Sequence, residues 1–312
     1  MMDSEHTTTQ LTEDDWAQIS AMWDWNIETQ MHFDMLYHYY KGDTLRKVLK
    51  NDAVIFRLAS ASTFEDKMEG KAVEVYYDLA LEELWEEGKI TEMQFEKLSG
   101  ISIPNRIQFV FQRSDGWGIC KNEEYEEYII CFSTEKDDLY MYETYAHDSD
   151  GYCLHFFGIE IEELRRLGMK NHAEIRLVPI LYGKEVVDFI KEKVHEVISD
   201  AVKERNLEYY ITDLLHYVQF AAKRKKYSRE NEVRLIVFLP VKCGDKLSNI
   251  RFYTDTKDHK YIFFSAPKHV LYDVSAAPYN AKTETSIVKA YLDSQGYQNM
   301  LEAGLNQSQF SG

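Results

Sequence analysis

The segment that most constrains the fold is residues 223–240, which read KRKKYSRENEVRLIVFLP. Side chains alternate between the two faces of a β-strand, so Val233 shares one face with the apolar residues at every second position after it. Glu230, Glu232 and Arg234 share the other face, which turns apolar further along. The pattern predicts a strand whose second half is buried on both faces and whose charged first half reaches a cleft or the rim of a sheet.

These three charges allow two interpretations, which the residues alone leave open. In the first, Arg234 neutralises Glu230 and Glu232 and the cluster is structural, as ionic strand ends usually are. In the second, one carboxylate performs chemistry and the other charges orient it.

The negative charge of the chain limits its partners. The 312 residues carry a formal net charge of -17, and a surface of this sign repels the phosphates of duplex nucleic acid. The dense basic run at residues 223–226 is too short to change that expectation. Duplex nucleic acid is therefore not an expected partner.

The lack of recognisable targeting signals and the positions of the cysteines predict a cytoplasmic protein. No apolar run approaches the ~20 residues of a membrane span, and the polar N-terminus lacks the apolar core of a signal peptide. The cysteines are not spaced like a metal knuckle. Cys131 and Cys153 lie in apolar runs, so we expect them to be buried, reduced and unpaired. We expect no membrane partner.

Strand and helix patterns predict a single α+β domain with a mixed, mostly antiparallel sheet and helical insertions. An aromatic strand at residues 35–40 is expected to lie near the strand at 233–239 in that sheet. Two long helices, 184–205 and 207–225, are predicted to form a hairpin around Asn206. Residues 104–112 and 160–167 are predicted to be helical, 114–124 a loop and 174–182 a strand. The expected division is a leader and helix at 1–30, one domain at 31–300 with the helical insertion near 184–226, and a tail at 301–312.

Common catalytic and nucleotide-binding motifs are absent from the sequence. It contains no glycine-rich phosphate loop, no GxSxG and no HExxH, and the scattered histidines predict no metal site. The remaining candidates are polar or aromatic residues at strand ends and on one helix. They are His38 in the first strand, Ser60 and Ser62 after the second strand, and Tyr142 and Tyr145, which share a helix face. Each also has an ordinary explanation, as a core histidine, turn hydroxyls or core packing.

An acidic loop supplies a weaker hypothesis. Glu65, Asp66 and Glu69 lie close together in sequence, and their carboxylates suit a divalent cation. A metal-dependent nuclease or hydrolase would combine them with Glu230 and Glu232. A solvated acidic loop is the simpler explanation.

Several short motifs occur in a particular order. They are Tyr37-His-Tyr39, Phe56 to Phe64 with Glu69-Gly70, Cys131-Phe-Ser133, Met141-Tyr-Glu-Thr-Tyr145-Ala146, Gly151-Tyr-Cys-Leu-His155 and Tyr227-Ser-Arg-Glu230-Asn-Glu232-Val-Arg234. In this order, over about residues 35–295, the chain resembles a bacterial and phage family called domain of unknown function twenty-nine seventy-one. It departs from that family at Glu65-Asp66-Lys67, where the family has Asn-Asp-Pro, and at Tyr142 and Tyr227, where the family has tryptophan.

A second resemblance concerns the layout of the strands. A first strand with His38, a second ending in Ser60-x-Ser62 and a late strand with Glu230-x-Glu232 are together similar to the ADP-ribosyltransferase layout. The resemblance implies that His38 contacts the nicotinamide mononucleotide half of NAD and that a serine positions the ribose. It implies that Glu232 stabilises the oxocarbenium-like charge formed as nicotinamide leaves, and that Glu230 orients the acceptor.

The resemblance implies an NAD-dependent ADP-ribosyltransferase-like enzyme or NAD glycohydrolase, acting in phage defence or a toxin system. Its partners would be a small-molecule nucleotide and a macromolecular acceptor. Tyr142 and Tyr145 would stack on a base, and Arg234 would meet the pyrophosphate. The alternative is a non-catalytic ligand- or protein-binding domain in which Arg234 completes a structural ion cluster. The enzyme hypothesis requires His38, a serine hydroxyl and Glu232 to face one pocket.

Overall fold

The computed structural model of the chain describes residues 33–61, 69–101, 108–113, 116–121, 125–146, 151–158, 174–240, 250–255, 259–280 and 282–298. The strands are β1 (Met35–Lys41), β2 (Ala53–Ser60), β3 (Gln108–Arg113), β4 (Gly116–Lys121), β5 (Tyr125–Ser133), β6 (Gly151–Phe157), β7 (Glu174–Pro179), β8 (Leu181–Tyr182), β9 (Ala222–Lys223), β10 (Glu232–Pro240), β11 (Ile250–Thr254), β12 (Lys260–Pro267) and β13 (Leu271–Ala276). The helices are α1 (Gly42–Val48), α2 (Glu69–Glu86), α3 (Glu92–Ser99), α4 (Leu139–Tyr145), α5 (Lys184–Ser199), α6 (Ala201–Arg205), α7 (Leu207–Ala221) and α8 (Lys282–Ser294), with 3-10 turns at Lys225–Glu230 and Lys268–Val270.

The main sheet is antiparallel and forks at β5. Its strands follow the order β11-β12-β2-β5-β1-β6-β13, and β10 pairs with β5 and with β7. One edge of β5 pairs with β10 along its whole length. The other edge is shared, because β2 pairs with Tyr128 and Ile129 while β1 pairs with Ser133. The expected α+β architecture is confirmed, and β1 and β10 lie in one sheet with β5 between them.

The two faces of the sheet support different cores. On β10, Val233 and the apolar residues at every second position after it face a core that is built from the sheet itself, α1 and α8. Ile236 and Phe238 point the other way, into a core made with α2, α5 and α7. All of these side chains are almost fully buried, which confirms the predicted burial on both faces. A third, aromatic core on the same face as the helices lies under α4.

The helical insertion is confirmed, although both of its long helices are shorter than predicted, because α5 ends at Ser199 and α7 at Ala221. The periodic apolar positions Val186, Ile190, Val194 and Val197 bury one face of α5. Asp200 has an extended backbone, with φ -104° and ψ 113°, which ends α5 before the short α6. Both α5 and α7 pack against α2.

Two local predictions are wrong. Residues 104–112 were expected to be helical, but β3 occupies 108–113, and the segment expected to be a loop contains β4, its antiparallel partner. The alternating QFVFQR sequence favours a strand, and two glycines proved compatible with a two-stranded hairpin. The strand expected at 174–182 is divided between β7 and β8. The helix expected at 160–167 lies outside the described residues.

Among the described residues, none of the helices combines the length and the apolar character that crossing a membrane requires.

Candidate functional site

A row of polar side chains crosses the helix-bearing face of the sheet. Glu232 of β10 is opposite Ser133 of β5, and Ser133 is opposite Tyr37 of β1. Tyr37 is opposite His155 of β6, which is opposite Asp273 of β13. Residues directly opposite one another in a sheet point to the same face. The fold therefore brings these polar groups side by side from five separate strands.

A buried ion cluster, formed by Lys223, Glu230, Glu232 and Arg234, occupies one end of this row. Lys223 Nζ donates to Glu230 Oε2 at 2.5 Å and to Glu232 Oε2 at 2.6 Å. Arg234 Nε donates to Glu232 Oε1 at 2.5 Å, and its Nη1 donates to the Phe220 carbonyl at 3.1 Å. Each of the four charged residues is at most 8% exposed. Two anions are thus matched by two cations away from solvent.

Local backbone geometry assembles the ion cluster. Lys223 follows α7 directly and pairs in parallel with Tyr182 of β8. The chain then makes the 3-10 turn that ends at Glu230, and Asn231, with φ 41°, reverses it into β10. The sequence pattern placed Glu230 on the strand beside Glu232. That placement is wrong, because the left-handed residue between them ends the pleat, and Glu230 reaches Lys223 from the turn.

The charges of the cluster hold each other ionised. Burial opposes ionisation of Glu232, but the charges of Arg234 and Lys223 outweigh it and lower its pKa to about 2. Burial likewise disfavours the ammonium of Lys223, and the charges of Glu232 and Glu230 outweigh it and raise the pKa of Lys223. Tyr182 Oη accepts a hydrogen bond from the Glu232 backbone N–H at 2.8 Å. Glu232 is therefore fixed at the backbone and at both carboxylate oxygens.

A second polar group, which we call the hydroxyl cluster, occupies the other end of the row. It comprises Asp137, Tyr142, His155 and Ser275. Tyr142 Oη donates to Asp137 Oδ1 at 2.8 Å, and Ser275 Oγ donates to the same oxygen. His155 Nε2 lies 2.9 Å from Ser275 Oγ, and His155 Nδ1 lies 4.0 Å from Asp273 Oδ2. Sequence spacing gave no signal for this cluster, since its members come from three distant segments.

Helix α4 connects the two clusters. Asp138 caps it by accepting a hydrogen bond from the Tyr140 N–H at 2.6 Å. Tyr142 is fully buried in the hydroxyl cluster, whereas Tyr145 is 44% exposed. The Tyr145 phenol interacts with the carboxylate of Glu230 in the ion cluster, and burial together with this charge raises the pKa of Tyr145. The two tyrosines predicted to share a role therefore serve different clusters.

His38 lies away from Glu232, on the opposite face of the sheet. Its Nδ1 donates to the Cys131 carbonyl at 2.5 Å, in the fork between β1 and β5. Its ring contacts those of Tyr40 and Phe132, with centroids 4.3 and 5.7 Å away, and both belong to the core on the far side of the sheet. Burial lowers the pKa of His38 to about 4. On β1, Tyr37 and Tyr39 share the face of Glu232, and Tyr37 lies nearer to it in the row.

The remaining candidates do not join His38 and Glu232 into one pocket. Ser60 is buried at the end of β2 and shares a strand face with Phe56 and Leu58, which face the far core. Ser62 and residues 65–66 lie outside the described residues, as does the side chain of Glu69. Among the described side chains, the arrangement required by the enzyme hypothesis is not formed.

The two cysteines whose side chains the structure describes, Cys131 and Cys153, are free thiols. Cys153 is fully buried on β6, as expected. Cys131 is only partly buried, because it lies on β5 near the fork, opposite Arg234.

Exposed cations flank the ion cluster and define a basic strip, which comprises Lys225, Lys226 and Arg229 with Tyr140 and Tyr145 of α4. The side chains of Lys225 and Arg229 are 69% and 64% exposed. The Arg229 guanidinium lies 4.9 Å from the centre of the Tyr140 ring. Arg229 also lies 3.5 Å from Asp138 Oδ1. The strip is a local positive region on a chain whose net charge is -17.

The fold and the site together define an α+β domain in which a row of polar side chains crosses a forked antiparallel sheet beneath the short helix α4. No family model, curated protein or solved structure matches the chain significantly. The two resemblances noted in the sequence therefore stay predictions.

Proposed function

We propose that the chain is a ligand-binding domain that takes a small-molecule nucleotide at the basic strip, with the ion cluster as the rigid support beneath it. The observation that carries this proposal is that both carboxylate oxygens of Glu232 already accept hydrogen bonds from protein cations. Its Oε1 accepts from Arg234 and its Oε2 accepts from Lys223. A carboxylate that is saturated by two protein cations has little capacity left to stabilise positive charge on a substrate.

The burial of the cluster favours a structural role. A buried charge is costly unless it is paired and hydrogen-bonded, and each carboxylate here has a cation within 2.6 Å. Removing one partner of such a buried pair strongly destabilises the folded protein. The cluster accordingly holds the end of α7, the 3-10 turn and β10 in one arrangement.

The basic strip suits an anionic aromatic ligand. Exposed lysine and arginine side chains form charge-assisted hydrogen bonds with phosphate. Tyr145 presents a half-exposed ring on the adjacent helix, and an aromatic ring of this kind stacks on a base. NAD, ADP-ribose and ADP combine both features.

Calorimetric titration with NAD, ADP-ribose and ADP tests this proposal. A charge-assisted contact to phosphate contributes about 1.5–3 kcal/mol, so Arg229→Gln is expected to weaken binding about tenfold or more. Tyr145→Ala should weaken it as well. Lys184→Gln is the matched control, because its side chain is 76% exposed on α5 and its ammonium lies 3.7 Å from Asp188 in the next turn. Absence of nucleotide binding to wild type at millimolar concentration, or equal weakening by Lys184→Gln, would contradict the proposal.

A second candidate function is the NAD-dependent ADP-ribosyltransferase-like or NAD glycohydrolase activity, with a macromolecular acceptor in phage defence or a toxin system. One observation favours it: Glu232 is ionised and fixed in position, as a carboxylate that stabilises an oxocarbenium-like transition state must be. Nicotinamide release from NAD separates the two candidates. Under the enzyme hypothesis Glu232→Gln lowers turnover about 100- to 1,000-fold; under the binding hypothesis wild type releases no nicotinamide and the variant only loses stability.

A further inference from the structure

Three different metal-binding side chains converge next to the hydroxyl cluster. Asp137, Cys153 and His155 each offer one ligand atom, and these atoms all lie within 4.8 Å of one another. Cys153 and His155 are two positions apart on β6, so both point to the same face of the strand. Asp137 comes from the turn before α4 and has a left-handed backbone, with φ 52°. The carboxylate is thus brought to the strand by the fold rather than by local sequence.

The chemistry of these donors suits one class of ion. A thiolate sulfur, an imidazole nitrogen and a carboxylate oxygen are the ligands that zinc takes in proteins, at about 2.0–2.3 Å. In a tetrahedral site, such bonds place neighbouring ligand atoms about 3.3–3.8 Å apart. The side chains must therefore close by about 1 Å from their present spacing, which small rotations about side-chain bonds supply. Oxygen-seeking ions such as magnesium and calcium do not favour a sulfur ligand.

The residues around these donors provide the support that metal ligands need. A histidine that binds a metal through one nitrogen usually donates its other N–H to a carboxylate. Here His155 Nε2 faces the cluster and Nδ1 faces Asp273 Oδ2 at 4.0 Å. Tyr142 Oη donates to Asp137 Oδ1 at 2.8 Å and orients that carboxylate. The Ser275 hydroxyl, 2.9 Å from His155 Nε2, is placed to act as a fourth ligand or to give way to water.

Access to the site is from the side of Asp137. Its side chain is 26% exposed, and the exposed Lys136 ammonium lies 3.9 Å from Oδ2. Cys153 and His155 are almost fully buried behind it. An ion entering past Asp137 would meet the two buried ligands on β6.

We propose that Asp137, Cys153 and His155 form a site for a zinc-like divalent cation, independent of the nucleotide proposal. Binding deprotonates the Cys153 thiol, and that proton passes to solvent. The proton on His155 Nε2, now donated to Ser275, transfers to Nδ1 and faces Asp273. The thiolate and the Asp137 carboxylate then balance the two positive charges of the ion.

Titration of the metal-free protein with Co²⁺ tests the site, because Co²⁺ bound to a thiolate shows a sulfur-to-metal charge-transfer band in the near ultraviolet. We expect one equivalent to give this band in wild type, and one equivalent of Zn²⁺ to remove it. Cys153→Ala should abolish the band. Cys131→Ala is the matched control, since it removes the other thiol whose side chain the structure describes, on β5, which β1 separates from β6, and should leave the band unchanged.

Asp137→Asn provides a second test of the site, which does not require the buried cysteine variant to fold. This side chain is partly exposed on a turn, and its replacement should weaken Co²⁺ binding at least tenfold with the circular dichroism spectrum preserved. The proposal is overturned if wild type gives no charge-transfer band, if Cys131→Ala removes the band, or if folded Cys153→Ala or Asp137→Asn binds Co²⁺ as tightly as wild type with the same band.

Discussion

Arg234 donates through Nε to Oε1 of Glu232 at 2.5 Å, and both residues are at most 4% exposed. They point to the same face of β10, two positions apart, and lie opposite Cys131 and Ser133 of β5. The pair therefore belongs to the face of the sheet that is covered by the helical insertion. Lys223, at the end of that insertion, is the second cation that contacts Glu232.

Replacing Lys223 by methionine is expected to destabilise the protein by about 3–5 kcal/mol. The change leaves the carboxylates of Glu230 and Glu232 buried without the ammonium that both contact, and breaking a buried pair has a cost of this size. Lys225→Met, whose side chain is 69% exposed, should change the free energy of unfolding by less than about 0.5 kcal/mol. Urea unfolding of both variants measures the difference, and equal effects would show that the ion cluster is not structural.

Stability is expected to fall as the pH drops below about 6.5, before the carboxylates titrate. Burial first, and the charge of Arg176 second, lower the pKa of His216 to about 3. Between that value and the unfolded pKa of about 6.5, the unfolded state binds a proton that the folded state does not, so acid favours unfolding. Glu232 behaves differently, because its stabilising charge is lost only below about pH 4.5.

The His216 share of this effect is measurable from pH 6 to pH 5. One histidine shifted in this way makes the free energy of unfolding fall by about 1 kcal/mol over that unit. In His216→Leu the fall should be smaller by that amount, whatever the absolute stability of the variant. His38, with its pKa lowered to about 4, accounts for a further part. Parallel pH profiles of wild type and variant would refute the assignment to His216.

Tyr142→Phe tests the hydroxyl cluster. The variant removes the group that donates to Asp137 Oδ1 at 2.8 Å and keeps the buried ring. A hydrogen bond to a charged group contributes about 1.5–3 kcal/mol, and the free energy of unfolding should fall by that amount. Tyr272→Phe, at a residue that is 56% exposed, serves as the control and should be neutral. Thermal unfolding of the two variants provides the comparison.

Gly158 and Gly100 should respond oppositely to alanine. A Cβ atom at Gly158 would overlap the backbone of Phe33, because its carbon atom would lie 1.8 Å from the carbonyl oxygen. Gly158→Ala should therefore be destabilising by more than about 1 kcal/mol. At Gly100, φ is -76° and the nearest atoms lie 3.5 Å away, so alanine should stabilise by about 0.4–1 kcal/mol. Melting temperatures that change in the same direction would contradict this reasoning.

The parts of the fold that the sequence predicts are those with a local signal. Alternation in residues 233–239 was sufficient to identify a strand buried on both faces, and the helical pattern of residues 184–205 was sufficient to identify α5, although not its end at Ser199. The face of β1 was harder, because Tyr37, His38 and Tyr39 all suit a strand. The pairing of Tyr37 with Ser133 shows that Tyr37 and Tyr39 lie on the face of Glu232 and that His38 lies on the other face.

The composition of the candidate site depended on non-local contacts. In the sequence, Lys223 is the first residue of a basic run, which indicated a surface position, yet it is buried between two carboxylates. The turn that places Glu230 had one available signal, since asparagine adopts left-handed backbone angles more readily than most residues and Asn231 does so. No comparable signal links Asp137 with Ser275, whose proximity depends on the order of strands.

The position of Lys223 also has a consequence for chain entropy. Its contacts with Glu230 and Glu232 span only 7 and 9 positions, whereas Tyr39 Oη reaches the Glu135 carbonyl across 96 positions. The entropy lost on closing a loop grows with the logarithm of its length. The contacts of the ion cluster therefore close with a smaller entropic cost than those between the distant strands, and they fix the direction in which the chain leaves the helical insertion.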